Sequence, residues 1–246
     1  MIRIEALTVS IDSVRRATSA GVNRVELCDN LPEGGTTPSG GMIRAAVEIA
    51  GSAVMVMIRP RPGDFLYSQA EISCMEEDIH LSKKYGAAGI VFGCLTPQGM
   101  PDDELCRHFV KLAGPLDITF HRAFDMVERP DEALEMLIDC GIHRVLTSGG
   151  KKDAESGIEQ IAALQSQAKG RISIMAGGGI KEHNVLKIIQ STGIQEIHIN
   201  IRKEIPSQMQ FRNENVKMGQ FTTTEYIHST SDEDGLRRII DLCHSL

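Results

Sequence analysis

His121, Arg122 and Asp125 stand within five residues of one another in TFHRAFD (119–125), directly after an apolar run. An imidazole there can pass a proton or ligate a metal, and Asp125 can orient either that imidazole or Arg122. A second charged group lies in IRPRPGDFLYS (58–68), where Arg59 and Arg61 with Asp64 suit recognition of an anionic or carboxylate-bearing substrate. Glu5, Glu26 and His198 are further chemistry-bearing residues set within short apolar runs. Two glycine-rich stretches, LTSGG (146–150) and MAGGGI (175–180), can turn backbone N–H groups toward an anion. Ser148, Gly149, Gly177, Gly178 and Gly179 are therefore candidates for cradling a phosphate, although tight turns also use glycine with no ligand at all.

Such residues need elements to aim them. Short apolar runs at 2–7, 24–28, 54–59, 88–93, 117–121, 144–148, 172–176 and 196–200 alternate with helix-length amphipathic segments near 10–20, 40–50, 70–85, 101–112, 131–140, 153–168, 181–191 and 232–244. Several of the helices stop at a glycine just before the next strand: Gly21, Gly86, Gly141 and Gly193. Repetition of helix, glycine, turn and strand is what parallel βα units produce. Eight such units in 246 residues predict a single-domain α/β protein, a closed TIM (β/α)8 barrel. An open doubly wound sheet competes, but no Gly-x-Gly-x-x-Gly follows the first strand.

Strand residues alternate between the barrel interior and the helical shell, and the shell side must be apolar. Ile2 and Ile4 therefore face out and Glu5 in; Val25 and Leu27 face out, Glu26 and Cys28 in. The same phase turns Arg59, Thr119, His121, Glu196 and His198 inward. Glu5, Glu26, Arg59, His121 and His198 thus fall on the inner phase of five strands, at or near the ends where barrel enzymes place their chemistry. Charges there need partners, so an ion-pair plug without chemistry competes with an active centre. No lysine stands among these strand-end residues, which disfavours a Schiff base.

Lys plus Arg total 26 against 33 Asp plus Glu, a formal charge of −7, and no basic stripe advertises nucleic-acid binding. No 18-residue apolar run predicts a membrane span. The six cysteines are scattered without a CxxC pair and read as reduced thiols, those at 74, 106, 140 and 243 as small hydrophobes of helices. Cytoplasmic residence follows as the expectation. Residues 201–231, with Pro206, Gly219 and a threonine run at 222–224, form a polar connection expected to be a lid, a partner contact or a mobile loop. A homodimer is possible by analogy with other barrels.

The blocks RVELCDNLPEGGTTPS, IRPRPGDFLYS, TFHRAFD, RVLTSGG, IMAGGGI and EIH, in that order, resemble the CutC family of copper homeostasis proteins. The resemblance implies a cytoplasmic TIM barrel linked to copper, with no established activity for the family as a whole. It carries over Glu26, Arg59, Asp64, His121, Arg122, Asp125 and His198 as characteristic polar residues. It also makes Cys28, His121 and His198 the candidate copper ligands. Leu7 stands where the family commonly has a cysteine, and Ile199-Asn200 where a Ser-Ser pair is usual. Three functions remain open: a copper-binding homeostasis protein, an acid–base enzyme of isomerase or lyase type acting on a small anionic or phosphorylated metabolite, and a non-catalytic interaction barrel.

Overall fold

The computed structural model describes residues 1–51, 53–219 and 224–245. Its strands β1 (Arg3–Thr8), β2 (Arg24–Leu27), β3 (Val54–Met57), β4 (Gly89–Phe92), β5 (Asp117–Phe120), β6 (Arg144–Thr147), β7 (Ser173–Gly177) and β8 (Glu196–Ile199) run parallel in chain order. β8 pairs back with β1, closing the (β/α)8 barrel. Between them lie α1 (Ile11–Ala20), α2 (Gly40–Ala50), α3 (Gln69–Tyr85), α4 (Asp103–Ala113), α5 (Pro130–Cys140), α6 (Ile158–Ala168) and α7 (Val185–Thr192). A hairpin of β9 (Arg202–Pro206) and β10 (Ile227–Ser231) precedes α8 (Glu233–His244).

The alternating pattern builds this architecture directly. Ile4, Val25, Val54, Val56, Ile118, Phe120, Ile197 and Ile199 all face the helical shell and are no more than 2% exposed. The first three helices start on hydrogen-bonding caps: Ser10 accepts from the Ser13 N–H, Ser39 from Met42, and Ser68 forms a reciprocal box with Glu71. Gly21, Gly86, Gly141 and Gly193 end their helices with φ between 71 and 92°.

Two helices begin later than the periodicity suggests. The expected spans 153–168 and 181–191 open at Ile158 and Val185 instead. Asp153 accepts the Ser156 N–H and Asn184 accepts the Lys181 N–H, both at 2.8 Å, which holds each preceding stretch as a turn.

The long connection is tied down through its second strand. Thr230 and Ser231 of β10 bond Ser13 at 3.2 Å, and Thr230 also donates to Asp12 at 2.8 Å, fixing the hairpin to α1. Its outer part exposes Met209, Phe211 and Met218. Residues 222–223 of the threonine run lie outside the described residues. All six thiols are free, but Cys74 is exposed on α3, unlike the small-hydrophobe role expected of it. Among the described residues no helix is long and apolar enough to cross a membrane.

Candidate functional site

The lowest charged layer of the barrel is fully paired. Glu5, third residue of β1, lies in register with Arg24 on one side and His198 on the other. Its Oε2 accepts from Arg24 Nε at 2.5 Å and its Oε1 lies 2.8 Å from His198 Nδ1. Arg24 also pairs with Glu196, which takes Arg144 Nε at 2.6 Å and the Ser173 hydroxyl at 2.9 Å. Burial alone would raise the Glu5 carboxyl. The His198 hydrogen bond and the Arg24 charge outweigh it and bring the pKa down to about 2. Glu5 is therefore a buried anion one layer below the mouth.

Glu26 sits above it and is 2% exposed. Its Oε2 stands 3.7 Å from His198 Nε2, and its Oε1 has no hydrogen-bond partner. Burial raises this carboxyl to about 7, with Glu5 adding to the rise and His198 and Arg24 only partly opposing it. For His198 burial alone would lower the pKa, but Glu26 and Glu5 on either side outweigh it and raise it. The trio Glu5–His198–Glu26 thus holds an anion, an imidazole whose proton affinity its two carboxyl neighbours raise, and a carboxyl that titrates near neutrality.

Across the mouth, His121 directly follows β5 and is 4% exposed. Its Nδ1 accepts the Ala123 N–H at 3.1 Å, while Nε2 is buried without a partner. Burial, reinforced by the nearby Arg59 charge, lowers its pKa to about 3, so the ring is neutral at physiological pH. Gly93 makes its seat: a Cβ there would stand 2.4 Å from the ring. Phe65 covers the ring at 5.0 Å and in turn lies under Arg59 at 5.1 Å.

Arg59 spends most of its fork on the protein itself. Nη1 donates to the Glu33 and Gly35 carbonyls at 3.0 and 2.8 Å, and Nη2 to Gly63 at 2.9 Å. It staples the loops after β2 and β3 together, leaving Nε as its buried unpartnered atom. Arg122 also lines the mouth. Asp125 takes Arg122 Nε at 2.7 Å, and Ser148 Oγ lies 2.7 Å from Nη2. Nη1 remains, set against Gly178. Asp125 also accepts from Thr147, from the Ser148 N–H and from the Gly150 N–H. It positions Arg122 and not the His121 imidazole.

These residues surround one cavity of about 320 Å³, lined by Glu26, Arg59, Phe65, His121, Arg122, Gly178, Gly179, Lys181, His198 and Asn200. Not every expected residue reaches it. Glu5 lies beneath, and the Asp64 side chain is 73% exposed on Arg61. Asp125 and Gly149 line a separate depression beside β6. Ser148 acts only through Arg122, and Gly177 is covered by Leu146 and His198. Sequence reasoning passed over Arg24 and Arg144, although both share the inward phase of their strands. It also passed over Lys181, which reaches the cavity from the loop after β7 and so escapes a search confined to strand ends.

The CutC family model matches residues 2–203. The chain belongs to the CutC family. It is 46% identical over 237 residues to the human copper homeostasis protein cutC homolog, covering 95% of this chain and 87% of that one. A family protein CutC of Porphyromonas gingivalis is 44% identical over 245 residues, with 99% of each chain covered. The CutC crystal structure from Streptococcus agalactiae superposes with a TM-score of 0.77 at 36% identity, over 80% of this chain and 98% of that one.

The family name raises copper, so the CutC donors here bear on its fit. The three expected ligands do not converge. Among the described residues, the His, Cys, Asp and Glu ligand atoms that gather three together within 4.8 Å of one another belong to Glu5, Glu26 and His198. Both Glu5 oxygens already hold Arg24 and His198, and these oxygen and nitrogen donors are not the soft set that Cu(I) favours. Cys28 is 1% exposed in an apolar cluster with Met55, Met57 and Val91. Burial, with Glu26 and Asp29 nearby, pushes its thiol far up and away from thiolate.

Proposed function

We propose that the mouth cavity is an acid–base catalytic centre for a small anionic metabolite. One observation carries the proposal: Glu26 and His121 line the same cavity, and each keeps a buried polar atom with no partner, Oε1 of Glu26 and Nε2 of His121. Leaving such an atom unsatisfied costs about 1–3 kcal/mol, which a purely structural role does not explain. The layer below shows what a structural role looks like, with Glu5, Arg24, Arg144 and Glu196 all paired. In this proposal Glu26 exchanges the proton, His198 sits between it and Glu5, and Arg122 with Gly178 and Gly179 receives the anion. Isomerase or lyase-type proton transfer suits the groups present. The free thiols suit a reducing, cytoplasmic setting.

Ligand-observed NMR against phosphate- and carboxylate-bearing metabolites should find binders whose affinity falls about tenfold or more in Arg122→Met, the loss typical of a charged hydrogen bond. Unchanged affinity in that variant would remove the assignment of the anion site.

A second function, Cu(I) binding at Cys28, is favoured by one observation. The Met55 and Met57 thioethers share the Cys28 cluster, and thioethers suit Cu(I).

A further inference from the structure

His121 is held in a single tautomer. Because Nδ1 accepts the Ala123 N–H, the one proton of the neutral ring resides on Nε2. The close approach of Gly93 and the covering Phe65 seat the ring, so that N–H is a fixed donor without an acceptor. A neutral imidazole of this kind is neither a base nor a clamp for a full charge. It suits an oxygen that gains charge during reaction, such as a carbonyl becoming an enolate. Glu26 lines the same cavity, and its unpartnered Oε1 is the unsolvated acceptor that such a reaction requires. Positive charge for a remote anionic group comes from Arg122 and from Lys181. The Lys181 ammonium donates to the Asn200 carbonyl at 2.9 Å and has no carboxylate within 4 Å among the described residues.

We infer that the cavity takes an aldehyde or ketone bearing a phosphate or carboxylate head group, and moves a proton at the carbon next to the carbonyl. This rests on the acid–base function proposed above. Glu26 Oε1 accepts the proton as the C–H bond breaks. The bonding pair becomes the new C=C bond, and the carbonyl π pair moves onto oxygen, where the His121 Nε2–H meets it. Return of the proton to the same carbon restores the compound. No oxidant, reductant or electron carrier enters the balance.

The test is deuterium wash-in followed by proton NMR in D2O. Dihydroxyacetone phosphate supplies a phosphate head, pyruvate a carboxylate head, and hydroxyacetone none. The wild-type chain is expected to exchange the α-protons of at least one headed compound above the buffer rate, and not those of hydroxyacetone. The favoured head group shows whether the anion is phosphate or carboxylate. Glu26→Gln and His121→Phe, each confirmed folded by near-UV circular dichroism, should each slow exchange about 100-fold or more, the usual scale of losing a general base or an oxyanion donor. Lys152→Ala, a loop residue outside the site, should not change it, nor should EDTA. No wash-in from either headed compound, wash-in that survives both site variants, or loss of wash-in with EDTA overturns the inference. Should anionic metabolites bind and weaken in Arg122→Met while no carbon proton exchanges, enolisation alone falls. Should none bind, the acid–base function falls with it.

Discussion

Glu196→Gln should be among the costliest single substitutions in this chain, lowering the free energy of unfolding by about 3–5 kcal/mol. Glu196 is 6% exposed and is the carboxylate on which Arg24 and Arg144 meet. Its replacement leaves two buried guanidiniums with one fewer countercharge. Arg24 then depends on Glu5 alone, and Arg144 on Asp117 at 3.3 Å and the Thr119 hydroxyl. Removing one partner of a buried pair costs far more than the pair contributes, because the remaining charge stays desolvated. Urea unfolding of the variant and of Lys152→Ala measures this. The exposed lysine change should stay within about 0.5 kcal/mol. A Glu196→Gln protein as stable as the wild type would show that the layer beneath the mouth is solvated and not a sealed ionic floor.

The opposite sign is expected at Glu26. Unfolded, this carboxyl ionises near 4.5; folded, burial holds its proton to about 7. Between these values the folded chain binds the extra proton, so stability falls as pH rises through the window, and the loss is complete above the folded value. Glu26→Gln cannot ionise and escapes the loss. It should be more stable than the wild type at pH 8, by on the order of 2 kcal/mol, with the difference fading below pH 4.5. Urea midpoints of the two proteins across this range decide it. A variant less stable than the wild type at pH 8 would mean that Glu26 is stabilised in place, as the ion-pair plug requires. A gain in stability on removing a group that the cavity needs is the ordinary signature of a functional residue.

Much of this was legible in the residues. Apolar alternation with capping serines and terminal glycines placed every barrel strand within about two residues, because a parallel strand under a helical shell must be apolar on its outer phase. The same alternation turned Glu26, His121 and His198 inward. Phase does not report height, however. How far up the barrel a residue stands depends on the stagger between strands, and the register of Glu5 with Arg24 puts it beneath the cavity. Nor does phase report where a long side chain spends its donors. Arg59 points to the mouth, yet its fork holds three backbone carbonyls. Arg122, on a short 3-10 turn after β5, is aimed by Asp125 of the same turn and by Ser148 from the loop after β6. Cys28 shows the same limit. Its inward phase was correct, but the apolar neighbours that enclose the thiol come from other strands.

The most direct test of an acid–base centre at this mouth is a crystal structure of the reduced protein soaked with phosphate and with Cu(I), using data collected above the copper edge. The predicted result is phosphate against Gly178, Gly179 and Arg122, within the cavity that Glu26 and His121 share, and no copper signal on Glu26 or His198. Copper bound jointly by Glu26 and His198, with no anion at Arg122, would contradict it.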